Sequence, residues 1–245
     1  MTKRKRQVRV DGEFQPQIDK ALIFVNSLGE NNGESYYEVA EVKDLEYRIY
    51  KQSQYLLSIL FKTLGRDDLF RRIRKKHRPN DFDNDKNRKW RRANDRYCVL
   101  EGDTIHFNTS GVEAESSDGI ALLALHCLNM KSLSKKVEEQ YRLKAKELWN
   151  KLLLRYDPSR GVLAMDRTDK KNNLYSVYKV AFLGILAKKM SDGAILSRVR
   201  QDLIKWQQES NRNGGWITDL KPDSLELIGL ANVETTALCV LALVL

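Results

Sequence analysis

The sequence predicts an all-α protein of about four helical hairpins, and three observations lead there. Helices with one apolar stripe (about 14–28, 133–156 and 194–209) alternate with helices that are apolar nearly all round (about 52–64, 118–130, 176–190 and 232–245). A helix apolar on every side must be buried on every side, whereas a striped one lies outside it. The apolar helices also recur at similar intervals, with Leu57, Ala121, Ala181 and Ala237 separated by 64, 60 and 56 residues. Finally, SDGIALLAL matched to ETTALCVLAL aligns Leu122-Leu123-Ala124-Leu125 with Val240-Leu241-Ala242-Leu243. Helix pairs that repeat with their apolar members inside form a solenoid or a closed ring.

Composition agrees. A chain of 245 residues is long enough for one sizeable core, and 42% hydrophobic with 31% charged residues fits a globular protein. Only 4 prolines and 13 glycines leave room for long helices. No apolar run approaches the roughly 20 residues of a membrane span. The basic start, MTKRKRQVRV, has no apolar stretch behind it and does not read as a secretory signal. Cys98, Cys127 and Cys239 are odd in number, far apart and without zinc spacing. Together these features favour a reducing cytoplasm as the expected location.

In chain order, residues 1–12 form a basic tail, and Ile18, Ala21, Leu22, Val25 and Leu28 mark a helix stopped by Gly29. After the loop ENNGES, a long helix runs from Val42 to Leu64 and ends at Gly65. The next helix, capped by Asp67 or a neighbour, runs to about Lys76 and yields near Pro79. Residues 79–110 form a polar insertion. A short helix is expected over Asp85–Asp95, then a β-hairpin in which Tyr97–Leu100 and Thr104–Phe107 flank Glu-Gly-Asp. Ser117-Asp118 caps the helix GIALLALHCLNM, and a long amphipathic helix follows with Val137, Tyr141, Ala145, Leu148 and Leu152 on one stripe. Asp157-Pro158-Ser159-Arg160-Gly161 is a turn, and VLAM a short extended piece. An apolar helix to Met190, a break at Ser191-Asp192-Gly193, and an amphipathic helix to Glu209 precede the last loop and helix, with Asn232 as a cap.

The run LIKWQQESNRNGGW, followed by NVETTALCVLAL, resembles the repeat of the α/α-toroid superfamily that includes terpenoid (squalene) cyclases and protein prenyltransferase β subunits. The resemblance is good over Val199–Leu245, weak over Ser116–Met190 and absent before about Thr109. It implies a single α/α toroid, complete or partial, spanning 1–245. It also implies that Gln208 ties the outer helix end to the start of the next inner helix, with Trp216 packed over it. Gly214-Gly215 supplies the sharp turn this needs. The chemistries of these families are not carried over. The acid motif D-x-D-D is missing, Asp/Cys/His zinc ligands cannot be mapped, and there is no thioester sequence.

In such a ring the inner-helix N-termini crowd one mouth. On this chain the mouth collects Glu113, Glu115 and Asp118, then Asn173, Tyr175, Tyr178 and Lys179, then Trp216, Asp219, Asp223, Glu226, Asn232 and Glu234. Glycoside hydrolysis needs two carboxyl groups, one as acid and one as base or nucleophile, and toroids resembling this one include glycosidases and polysaccharide lyases. Asp118 and Glu234 are the candidate catalytic pair. Tyr178, Trp216, Asp219 and Glu115 are candidate contacts to a carbohydrate or prenyl-type ligand. The same two acids also sit in first turns, where the helix dipole favours carboxylates in any helical protein.

Other constellations are weaker. Asp81, Asp83 and Asp85 open like a calcium loop, but Lys86 replaces the required glycine and Arg92 the terminal glutamate. His126 and Cys127 are adjacent helix residues and do not face each other, so His126 reads as a core residue. No metal or cofactor is expected. The formal net charge is +10, and the window 66–96 holds 13 basic against six acidic residues. Its Arg71, Arg72, Arg74, Lys75, Arg91 and Arg92 form a candidate basic patch for nucleic acid or an acidic protein, on a chain that would then be a non-catalytic scaffold. The alternative is a solvated, mutually paired surface. The apolar helix ending at Leu245 is consistent with a packed terminus or a homo-oligomeric contact.

Overall fold

A computed structural model describes residues 12–30, 33–39, 47–48, 51–77, 99–101, 104–106, 116–129, 135–210 and 214–245. The protein is mostly helical, with small antiparallel sheets. The helices in the first part are α1 (Gln15–Ser27), α2 (Lys51–Thr63), α3 (Asp67–Lys76) and α4 (Ser117–Asn129). Then follow α5 (Lys135–Leu153), α6 (Arg167–Asn172), α7 (Val177–Met190), α8 (Gly193–Ser210) and α9 (Val233–Val244).

Packing separates these helices into two sets, as the alternation in the sequence requires. The apolar helices are neighbours in a row: α4 packs on α7, α7 on α9 and α9 on α2. Each carries an outer partner, α5 against α4, α8 against α7, α1 against α9 and α3 against α2. The last apolar helix therefore meets the first two helices of the chain. Burial follows the same division. In α9 every residue from Val233 to Leu243 except Glu234 is buried, whereas α5 and α8 bury one stripe each, Ala145, Leu148 and Leu152 in the former and Leu196, Val199, Leu203 and Trp206 in the latter.

Short antiparallel pairs punctuate the helices. β1 (Gly29–Glu30) pairs with β2 (Ser35–Tyr36), and β3 (Glu38–Val39) with β4 (Tyr47–Arg48). β5 (Val99–Glu101) pairs with β6 (Thr104–His106), the hairpin expected from the sequence, and β7 (Tyr156–Asp157) with β8 (Val162–Leu163). The only three-stranded sheet among the described residues has the order β11 (Leu227–Ala231), β10 (Ile217–Leu220), β9 (Tyr175–Ser176). It joins the entrances of α7 and α9.

Several local expectations are corrected. Of the helix expected from Val42, Tyr47–Arg48 instead pairs as β4 with β3 and Lys51–Thr63 is helical, while 42–46 and 49–50 lie outside the described residues. The N-cap of α3 is Arg66, the neighbour of Asp67, and it makes no side-chain capping bond, while Asp67 and Asp68 lie in the first turn. At α4 the capping hydroxyl is that of Ser116, which accepts from the Gly119 N–H at 3.1 Å. The Asp157 turn and the Asn232 cap form as expected. Asp157 Oδ1 accepts from Ser159 N (2.9 Å) and Arg160 N (3.2 Å), and Asn232 Oδ1 accepts from Thr235 N (2.7 Å). The basic tail, Asp81–Asp85, the helix expected at Asp85–Asp95 and the side chain of His126 lie outside the described residues. Cys127 and Cys239 are buried free thiols.

One clamp recurs between a loop and the inner helix behind it. Gln54, the fourth residue of α2, holds the main chain of buried Tyr36 at both ends, accepting from its N–H (2.8 Å) and donating to its carbonyl (2.7 Å). Thr236, the fourth residue of α9, accepts from the N–H of buried Trp216 (2.9 Å). In both places a large aromatic residue fills the space between the helices while a buried polar side chain satisfies its backbone.

Candidate active site

The site grows from the entrance to α7. Asp166 caps α6 through a reciprocal box, its Oδ1 accepting from Thr168 N (2.9 Å) and Asp169 N (3.1 Å) while Asp169 Oδ2 accepts from Asp166 N (3.3 Å). Asn173, in the left-handed conformation, ends α6, and the chain passes through β9 into α7. Lys179 in the first turn of α7 is buried and donates to Asp166 Oδ2 (2.5 Å) and Asp169 Oδ2 (2.7 Å). Ser176 Oγ donates to Asp169 Oδ1 at 2.9 Å. The result is a buried triad of two carboxylates and one ammonium in which both acids also accept from main-chain or hydroxyl donors. Burial works against the Asp166 carboxylate, yet the Lys179 hydrogen bond, the Asp169 and Thr168 N–H donors and the Lys179 charge outweigh it and hold its pKa below the ordinary value.

Tyr178, next to Lys179, packs edge-on to Phe182, with ring centroids 6.5 Å apart. Its phenol pKa is raised well above the ordinary value, first by burial and then by the negative charges of Asp118, Asp169, Glu234 and Asp166. Asp118 belongs to α4 and Glu234 to α9. The two acids expected as a pair from the sequence therefore act electrostatically on one tyrosine, each from a different inner helix. With its pKa displaced upward, the Tyr178 hydroxyl stays protonated at neutral pH.

Asp118 is nearly buried, whereas Glu234 and Tyr178 are half-buried. Asp219 on β10 lies opposite Ser176 of β9 in the sheet, beside the same entrance. Behind it a polar chain locks the start of α9, in which Asn232 Nδ2 donates to Thr218 Oγ1 (2.5 Å) and Thr218 Oγ1 shares a hydrogen bond with Thr235 Oγ1 (2.9 Å). Glu113 and Glu115 lie outside the described residues, as do Arg91 and Arg92 of the basic patch.

Two expectations change. Trp216, expected as a ligand-facing plate, has no exposed surface, and its indole N–H donates to the Leu203 carbonyl at 2.7 Å. Its ring is a core element, because both the apolar body and the polar edge are already satisfied. The clamping glutamine is Gln207, not Gln208. Gln207 is buried and its Nε2 donates to the carbonyls of Gln17 (2.9 Å) and Gly214 (2.7 Å), while Gln208 is exposed.

Reading the sequence for paired acids missed Asp166 and Asp169, although their Asp-x-x-Asp spacing before a lysine-rich turn is a capping-box signature. Among the described residues no group of three or more His, Cys, Asp or Glu side chains is placed to hold a metal ion. Among them, too, no helix is long and apolar enough to cross a membrane. Comparison with protein-family models, with characterised proteins and with solved structures finds no match.

Proposed function

We propose that the chain is an α/α-toroid enzyme that performs acid–base chemistry on a neutral carbohydrate at the Tyr178 cluster. The observation that carries this reading is that Asp118 of α4 and Glu234 of α9, far apart in sequence, both act electrostatically on Tyr178 of α7. The neighbour order of α4, α7, α9 and α2, each with an outer partner, supports the toroid. Asp118 and Glu234 divide the work of glycosidic cleavage. One donates a proton to the leaving oxygen, and the other, as carboxylate, activates water or attacks the anomeric carbon. Tyr178 donates a hydrogen bond to a sugar oxygen. Lys179, tied to Asp166 and Asp169, fixes the turn of α7 that presents Tyr178.

Charge selects the substrate class. Four carboxylates act on Tyr178, and the ammonium of Lys179 is already engaged by two of them. Such a field repels uronates and diphosphates, so a neutral glycan fits better than an anionic polysaccharide or a prenyl diphosphate. Release of reducing ends from a panel of neutral polysaccharides tests the reading. The wild type is expected to cleave at least one of them, and the Asp118→Asn/Glu234→Gln variant to lose that activity while keeping its melting temperature within a few degrees. Full activity in the variant, or no turnover of any glycan by the wild type, overturns it.

A further inference from the structure

We propose that the loop 221–226 between β10 and β11 is a flap latched onto β9 by Arg160, and that its local opening uncovers Tyr175 at the approach to α7. Arg160 stands in the turn between β7 and β8. Its Nη1 donates to the Tyr175 hydroxyl at 3.1 Å and its Nη2 to the Pro222 carbonyl, and its Cζ lies 5.3 Å from the centroid of the Tyr175 ring. One guanidinium thus joins three segments, the β7–β8 turn, β9 and the flap. Among the described residues, no other side chain outside the β10–β11 hairpin hydrogen-bonds to residues 221–226.

The two sides of the latch differ in firmness. On the Arg160 side, Asp157 Oδ1 accepts from Ser159 N (2.9 Å), Ser159 Oγ (2.6 Å) and Arg160 N (3.2 Å), and the Tyr156 hydroxyl donates to Asp202 Oδ2 of α8 (2.8 Å). Gly161, with φ +74°, sits so close to α8 that a β-carbon would lie 2.6 Å from Asp202 Cγ. On the flap side, no residue of 221–231 is buried. The flap keeps its own shape, with Lys221 N donating to the Glu226 carbonyl (2.9 Å), Leu225 N to the Lys221 carbonyl (2.9 Å) and Lys221 Nζ to Glu226 Oε2 (2.5 Å). Half-buried Leu225 packs on the core, but in the left-handed conformation (φ 58°), a strain that works against that contact. Behind the flap, Gly229 (φ +91°) lies where the β10–β11 register shifts. A β-carbon there would meet no atom within 4 Å, so the edge strand can bend at this bulge without a clash. A firm anchor, a self-contained loop and one side-chain tether are the parts of a lid that opens as a unit. The latch stands or falls on these contacts, apart from the chemistry proposed for Tyr178.

Digestion of the native full chain with a glutamyl endopeptidase, read by mass spectrometry, tests this, because cleavage follows the population of the open form. Arg160→Ala is expected to speed cleavage after Glu226 several-fold while cleavage after other glutamates stays as in wild type. Arg160→Lys lacks the planar fork that reaches both partners and should fall between the two. Lys188→Ala, at an exposed position of α7, removes one positive charge elsewhere and should match wild type. The proposal is overturned by an unchanged rate after Glu226 in Arg160→Ala, or by an equal rise after every glutamate, which would mean general loosening. It is also overturned by a larger rise in Leu225→Asn than in Arg160→Ala, which would make Leu225 the hold.

Discussion

The side-chain amide of Gln207 donates to the main-chain carbonyl of Gln17 at 2.9 Å, joining two positions 190 residues apart. A second bond from the same nitrogen, 2.7 Å to the Gly214 carbonyl, holds the following loop against the same helix. Replacing Gln207 with alanine removes the donor from two part-buried carbonyls, at a cost of about 1–3 kcal/mol for the two bonds together. Gln208→Ala, at an exposed position, should stay within about 0.5 kcal/mol of wild type. Urea denaturation of the two variants separates them, and equal stabilities would remove the clamp from Gln207.

Gly214 and Gly215 permit that loop to touch α1. Gly214 has φ +80°, and a β-carbon there would lie 2.3 Å from the Lys20 carbonyl oxygen. At Gly215 it would meet the Phe24 ring at 2.5 Å. Gly214→Ala therefore combines left-handed strain with a backbone clash and should cost at least about 2 kcal/mol. Gly215→Ala displaces only a side chain and should cost less. Thermal unfolding of both variants checks this order, and a more severe Gly215 variant contradicts it.

Lys179→Met should destabilise the protein by roughly 3–5 kcal/mol at neutral pH, because Asp166 and Asp169 lose the cation buried between them. The sign of the pH dependence follows from Asp166. Its folded pKa lies below the unfolded value, so its contribution is present above about pH 4 and is lost as pH falls through the folded pKa. Acidification should therefore weaken the wild type and narrow its lead over the variant, in which protonation relieves unpaired charge. Urea midpoints at pH 7 and pH 4 measure the gap, and a gap that widens in acid would contradict the pairing.

Tyr178 reports on its acidic neighbours. Removing the charges of Asp118 and Glu234 makes phenolate less unfavourable, so Asp118→Asn/Glu234→Gln should lower the Tyr178 pKa, while burial keeps it above the ordinary 10.0. Ultraviolet titration of wild type against variant, each compared with its Tyr178→Phe counterpart, isolates this one phenol. An unchanged or raised value would separate Tyr178 from the proposed pair.

Hydropathy made the helices and their inner or outer rank legible. A helix such as α9, apolar all round, has one stable environment, and the 56-residue step from Ala181 to Ala237 places its neighbour α7 in the same layer. The strand at Tyr47–Arg48 was not legible, because these residues fit a helical pattern and their pairing with Glu38–Val39 depends on contacts between separate segments. Choosing between Gln207 and Gln208 was equally beyond the pattern. Adjacent helix positions point about 100° apart, and only the approach of α1 decides which one is covered. For the candidate site, the first-turn positions of Asp118 and Glu234 were readable. Their joint effect on Tyr178 depends on which inner helices are neighbours, and the capping-box spacing of Asp166 and Asp169 marks a helix start without showing that Lys179 lies between them.

The attachment of α1 to the far end of the chain has a consequence for biosynthesis. Ile18, Ala21, Phe24 and Val25, the stripe that α1 buries, are made well before Gln207, Gly214, Gly215 and α9. At a translation rate of about 5–20 residues per second, that stripe leaves the ribosome roughly 10–40 s before the residues that cover it exist. Through that interval the nascent chain presents an apolar helix without the packing of α9 and the Gly214-Gly215 loop, the form of surface that holdase chaperones bind.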